Sequence, residues 1–257
     1  MPQASFSFDD SSPAAAALSR AASTRFGHSD ELRGADGQLR PAWRAFFDAL
    51  GSDDLGDLER RRAAIERQIR DDGITYHVYS DLPPFIIGAA DWAQIERGVA
   101  QRAVLLSRVL RDLYGPQTLL AEGLLPPALV FGHPGYLRPL AGVKPVGSTF
   151  LQIAAFDLAR AADGQWWVVS QRTQAPSGLG YALQNRLIVA RQFPEAFRAL
   201  HVQRLASSFR RLLDTITRSA PRGDAPGEPG GAPRIVLLTP GPYNETYFEH
   251  AYLARYL

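Results

Sequence analysis

The chain has 257 residues, 46% of them hydrophobic, and a formal net charge of +2; this supports a buried core in one large domain or two small ones and excludes a wholly disordered chain. With no Cys at all, disulfides, thiolate catalysis and Cys-ligated zinc are excluded; with no run near the ~20 apolar residues of a bilayer span and no charged-then-apolar leader, the expectation is a cytoplasmic protein with no membrane partner. A charge this close to neutral gives no pull toward nucleic acid, and the 28 basic residues, Lys144 the one lysine among them, reflect a general bias toward Arg rather than a binding face.

Residues 1–40 are rich in Ala, Ser and Asp without sustained periodicity and are expected as a mobile tail ending in HSDELRGADGQLR. Pro41 opens a first helix, with Trp43, Phe46, Phe47 and Leu50 at helical spacing. Leu55, Leu58, Ile65 and Ile69 predict a second amphipathic helix that Gly73 stops; its Arg60-Arg61-Arg62 triplet is either a solvated face or a phosphate patch. Ile74 to Tyr79 alternates and predicts a strand. Asp91 is the expected N-cap of the clearest helix, whose Trp92, Ile95, Val99, Ala103, Leu106, Leu110 and Leu113 form a core stripe ending at Gly115-Pro116.

Pro and Gly between 126 and 148 predict loops. Phe150 to Asp157 and Gln165 to Ser170 predict a β-hairpin turned by Asp163-Gly164. A Gly, Pro and Ser loop leads into a polar helix-like stretch from Tyr181 to Arg186, and Pro194 to Ile216 predicts one long helix. Residues 219–233, SAPRGDAPGEPGGAP, read as a linker. Beyond it Ile235 to Leu238 predicts a buried strand, followed by a turn and a helix from about Tyr243. The expected organisation is therefore a tail over 1–40, a helical and hairpin region over 41–218, a linker over 219–233 and the start of an α/β unit over 234–257. A lone α/β opening cannot bury both faces of its strand, so the chain is expected to be a fragment with a missing C-terminal half.

Two loops have the composition that holds phosphate through backbone N–H groups at the start of a helix: Ala175-Pro176-Ser177-Gly178 and Thr239-Pro240-Gly241-Pro242-Tyr243-Asn244. Either is a ligand loop or an ordinary connection, because neither is a Walker or GxGxxG turn. Asp157 at a hairpin mouth is either a Mg²⁺ carboxylate or a turn-stabilising side chain. The five His residues lack paired ligand spacing, and Ser177 lacks the G-x-S-x-G context of a hydrolase nucleophile.

Several segments, in order from about residue 71 to the end, resemble the circularly permuted ATP-grasp proteins (type 2) related to glutathionylspermidine synthetase. They are DDGITYHVYSD, ADWAQIERGVAQRAVLL with DLYGPQ, GLLPPALV, AGVKPVG, FDLARAADGQWWVV, APSGLGYALQNR and TPGPYNETYFEHAYLAR. The resemblance implies a mixed α+β and α/β fold, the N-terminal part of a circularly permuted ATP-grasp: long helices packed on a mixed sheet, ending at the start of a preATP-grasp α/β unit. The implied chemistry is ATP- and Mg²⁺-dependent activation of a small-molecule or peptide carboxylate to an acyl phosphate, attacked by an amine to form an amide. On that reading Asp157 meets Mg²⁺; Asn185 and Arg186 meet ATP phosphate or a substrate carboxylate; Lys144, Ser177, Gly178, Thr239, Gly241, Asn244 and Glu249 contribute to ATP or substrate binding. Where family members carry Glu-Asp-Asn-x-Arg before Val-Pro-Ser-Gly, this chain has Ser170-Gln171-Arg172-Thr173-Gln174. That leaves Asp157 as the single clear metal carboxylate and brings in Arg172, which suits a phosphate or carboxylate directly. Two functions follow from the resemblance: a divergent ligase complete only with the missing half, or a catalytically degenerate ATP-grasp-like binding or scaffold module. For this chain by itself the expectation is no turnover.

Overall fold

The computed structural model describes residues 29–34, 36–50, 55–74, 84–220 and 233–255. The start of the tail, all but Ile74 of the strand expected over Ile74 to Tyr79, and most of the 219–233 linker lie outside the described residues. Helix α1 (Pro41–Leu50) and α2 (Leu55–Asp71) form where the apolar spacing predicts them. Asp57 in the first turn of α2 accepts from Arg61, and that guanidinium holds its carboxyl below the usual range. Residues 29–40 depart from the expected tail. Asp30 accepts from the N–H groups of Leu32 and Arg33, an isolated bridge joins Arg33 to Leu39, and Leu32 is buried against α1. Local capping and one anchored Leu overcome a composition that otherwise favours disorder.

Helix α3 (Ala89–Leu113) is the longest, and among the described residues no helix is long and apolar enough to cross a membrane. Its N-cap is Gly88, not Asp91. Asp91 lies within the first turn, and its carboxylate pairs with Arg160 on the hairpin. Only Ile95 of the expected stripe is fully buried, and Trp92 is exposed. The expected 126–148 loop region contains α5 (Pro127–Phe131) and two 3-10 turns, Arg138–Leu140 and Val146–Ser148, preceded by the single-turn α4 (Thr118–Ala121).

The sheet among the described residues is one antiparallel pair, β1 (Ala155–Arg160) with β2 (Trp166–Arg172), so the expected mixed sheet is not found there. The hairpin reverses as the Asp-Gly pair predicts: Gly164 has φ 82°, and Asp163 accepts from the Gln165 N–H at 2.9 Å. The first strand, however, starts at Ala155 rather than Phe150. Helix α6 (Leu179–Gln192) follows the second strand. The single helix expected from Pro194 to Ile216 is two, α7 (Pro194–Ala199) and α8 (Ala206–Ser219), with His201 left-handed at φ 49° in the break. His201 is thus off any helix. The last helix, α9 (Tyr247–Ala254), begins four residues later than expected, since Asn244 first closes a turn of its own. Ile235 to Leu238 is not a buried strand: it pairs with nothing among the described residues, and Leu238 is 96% exposed. A strand needs a neighbour for its N–H and C=O groups, and the described residues offer this segment none.

Two clusters form the core. Leu32, Trp43, Phe46, Phe47, Phe193 and Ala196 join α1 to α7, while Ile65, Ile69, Ile74, Tyr181 and Ile188 join α2 to α6. The α6–α7 junction therefore feeds both.

Candidate functional site

The hairpin is fastened by its closed end. Arg160 at the end of β1 is only 6% exposed, pairs with Asp91 of α3 and with Glu31 at 3.2 Å, and lies 4.6 Å over the Trp166 ring. Phe85 meets the same indole edge to face at 6.4 Å, and Gln94 of α3 donates to Gln165 at 3.2 Å. Two carboxylates and a π face offset the burial of this guanidinium, whose Nε has no partner among the described residues. Sequence reasoning missed Arg160, because nothing in residue type separates one inward Arg from its many outward counterparts.

The open end carries Asp157. Its strand partner is Ser170, but the next pair is Leu158 with Val168, so Val169 is an extra residue, a β-bulge. Simple alternation would put Ser170 and Arg172 on the face of Trp166 and Val168; the bulge shifts both onto the face of Asp157 and Trp167. Ser170 donates its hydroxyl to Asp157 Oδ2, and Arg172 Nη2 donates to Oδ1 at 2.6 Å. Both carboxylate oxygens are engaged. Among the described residues no group of three or more His, Asp or Glu could hold a metal. One carboxylate, already satisfied and facing a guanidinium, does not suit a divalent cation that wants several anionic oxygens.

The first phosphate-loop candidate meets the helix that follows the second. Gly178, at φ 116°, is the N-cap of α6. Its N–H donates to both Glu249 oxygens at 2.7 and 2.9 Å, and the Gly180 N–H donates to Oε1 at 2.9 Å. Glu249 is 2% exposed. A carboxylate at a helix N-terminus meets the positive end of the dipole and two orphan donors. The contact also requires glycine at 180, where a Cβ would lie 2.8 Å from Glu249 Cγ. Glu249 is aimed by its own helix: Asn244 accepts from the Thr246 N–H at 3.0 Å and from its hydroxyl at 2.5 Å, and Phe248 packs on Tyr181 at 5.5 Å. The N–H groups of Gly178 and Gly180 thus already hold an internal anion. The sequence places Glu249 on the helix expected from about Tyr243 but could not show that it caps the start of a different helix.

The remaining residues lie as follows. Ser177 and Asn185 are exposed, and Lys144 is exposed two residues before the 3-10 turn that packs on α8. Arg186 is half-buried, donates to the Gln203 carbonyl at 3.2 Å and lies 5.6 Å over Phe197; burial lowers its pKa from the usual guanidinium value. Thr239 accepts from the Gly241 N–H at 3.2 Å, closing the first turn of the TPGPYN loop.

The chain is 36% identical over 247 residues to an uncharacterized protein of Mycobacterium tuberculosis, covering 89% of this chain and 27% of that protein. It is 34% identical over 237 residues to an uncharacterized protein of Synechocystis sp., covering 88% and 48%. A second uncharacterized M. tuberculosis protein is 34% identical over 233 residues, covering 88% and 41%. The chain thus spans between about a quarter and a half of the length of these relatives. The sequence pattern of one family matches residues 84–257, which include the hairpin, the PSG loop and the Glu249 helix. This chain belongs to the circularly permuted ATP-grasp type 2 family.

Proposed function

We propose that this chain is an ATP-grasp-like binding module of a longer protein and that it does not by itself catalyse Mg²⁺-dependent carboxylate–amine ligation. Family membership supplies the ligase-like framework. The observation that carries the reading is Asp157: the carboxylate that would anchor Mg²⁺ is occupied on one oxygen by the Ser170 hydroxyl and on the other by Arg172. Hard cations bind through several anionic or carbonyl oxygens, and a neighbouring guanidinium opposes them. Calorimetric titration of ATP with and without Mg²⁺, alongside a phosphate-release assay, tests this. The expected outcome is no Mg²⁺-dependent gain in binding and no phosphate release. Mg²⁺-dependent binding that disappears in Asp157→Ala sinks the reading.

A second reading, a divergent ligase joining a small-molecule or peptide carboxylate to an amine, is favoured by the coverage of the relatives, 27 to 48%. Further ligands for ATP and metal would then come from the rest of such a protein. It is distinguished by repeating the assays on the longer protein, where turnover sensitive to Asp157→Ala supports the ligase.

A further inference from the structure

We propose that Arg172 stands where a divalent cation would, and that the outer face of the hairpin binds a phosphate-bearing anion directly, without Mg²⁺. The inference rests on the reading of this hairpin as the ligand face of the module. The bulge at Val169 brings Ser170 and Arg172 to the Asp157 face. There Arg172 uses one of its N–H groups on Asp157 Oδ1 and has no other partner among the described residues. A guanidinium has five such donors in a planar fork, and the remaining edge matches two oxygens of a phosphate. The Arg172 side chain is 61% exposed, so that edge is reachable. The same face presents exposed Ala159 and Trp167. In a metal site the carboxylate holds the cation and the cation holds the phosphate; here Asp157 holds a tethered guanidinium in the same order.

The two arrangements respond oppositely to loss of the Asp157 charge. A metal-bridged anion loses its anchor. An anion on Arg172 loses a repelling neighbour and keeps its partner. ATP is the probe, titrated calorimetrically into the full chain in EDTA and then in Mg²⁺. Wild type should bind equally in both. Arg172→Gln should weaken binding about tenfold to a hundredfold, the loss of a charge-assisted fork, with Arg172→Lys recovering part of it. Asp157→Asn should bind no more weakly than wild type, and about threefold tighter if the repulsion is that of a screened neighbouring charge. ATP binding that needs Mg²⁺ and is lost in Asp157→Asn overturns both this inference and the preceding reading. No binding in EDTA, or Arg172→Gln binding as wild type does, overturns this inference alone.

Discussion

Glu249 reaches across 71 positions of sequence to the N–H of Gly178 and, with Phe248 on Tyr181, ties the last described helix to α6. Replacing it by Ala leaves the Gly178 and Gly180 N–H groups buried without an acceptor and opens a cavity. The expected loss is about 2–4 kcal/mol, read as a lower denaturation midpoint together with faster hydrogen exchange at those two amides. Exchange unchanged at Gly178 and Gly180 would mean that the carboxylate is dispensable there. At this scale the sequence was legible in part. The place of Asp157 followed from strand alternation and an Asp-Gly turn, whereas its partners did not, because the bulge at Val169 leaves no mark in residue type. Ala175 is similar: its positive φ of 44° sits in a loop that composition identified, at a residue that composition would not have chosen.

Among the described elements, the shortest α-helix shows most clearly what holds a short helix in place. Asp112 at the end of α3 accepts from the N–H groups of Thr118 and Leu119, the start of the single-turn α4, at 3.0 and 2.9 Å. The Leu119 backbone bond, aided by Thr118, holds its pKa below the usual Asp value. A group whose folded pKa is depressed contributes its full share above the unfolded pKa and loses it as pH falls through the folded one. Acidification through and below the usual Asp range should therefore fray α4. Amide chemical shifts of Thr118 and Leu119 should titrate together with a midpoint under 3.8, the ordinary Asp value; a midpoint at or above it contradicts the capping role. The break between α7 and α8 teaches the opposite lesson. Phe197 and Leu200 are at helical spacing, as are Leu205, Phe209, Leu212 and Ile216, but the five-residue step from Leu200 to Leu205 breaks the phase with no Gly or Pro between 200 and 205. The break is tertiary: Phe197 and Leu200 pack on the α1 cluster, while the Val146–Ser148 turn packs on α8. Periodicity recorded which residues turn inward, and the five-residue step is the mark in the sequence that they turn toward different neighbours.

The molecule as a whole depends on the junction that serves both cores. Phe193 is fully buried, meets Phe46 at 5.6 Å and lies under the Arg61 guanidinium at 4.9 Å. Phe193→Ala should cost about 3–5 kcal/mol, followed by urea denaturation with Trp43 fluorescence; a loss near zero would mean that the α1 cluster repacks without it. The clasp between Glu249 and the α6 N-terminus has a last consequence, in the currency of chain length. It closes a loop of 71 residues that contains the Pro- and Gly-rich stretch, and closure entropy grows only with the logarithm of loop length. A dozen residues added to that stretch would change the cost by about 0.1 kcal/mol. The spacing between α6 and α9 is therefore set by a carboxylate and two glycines rather than by the length of chain that joins them.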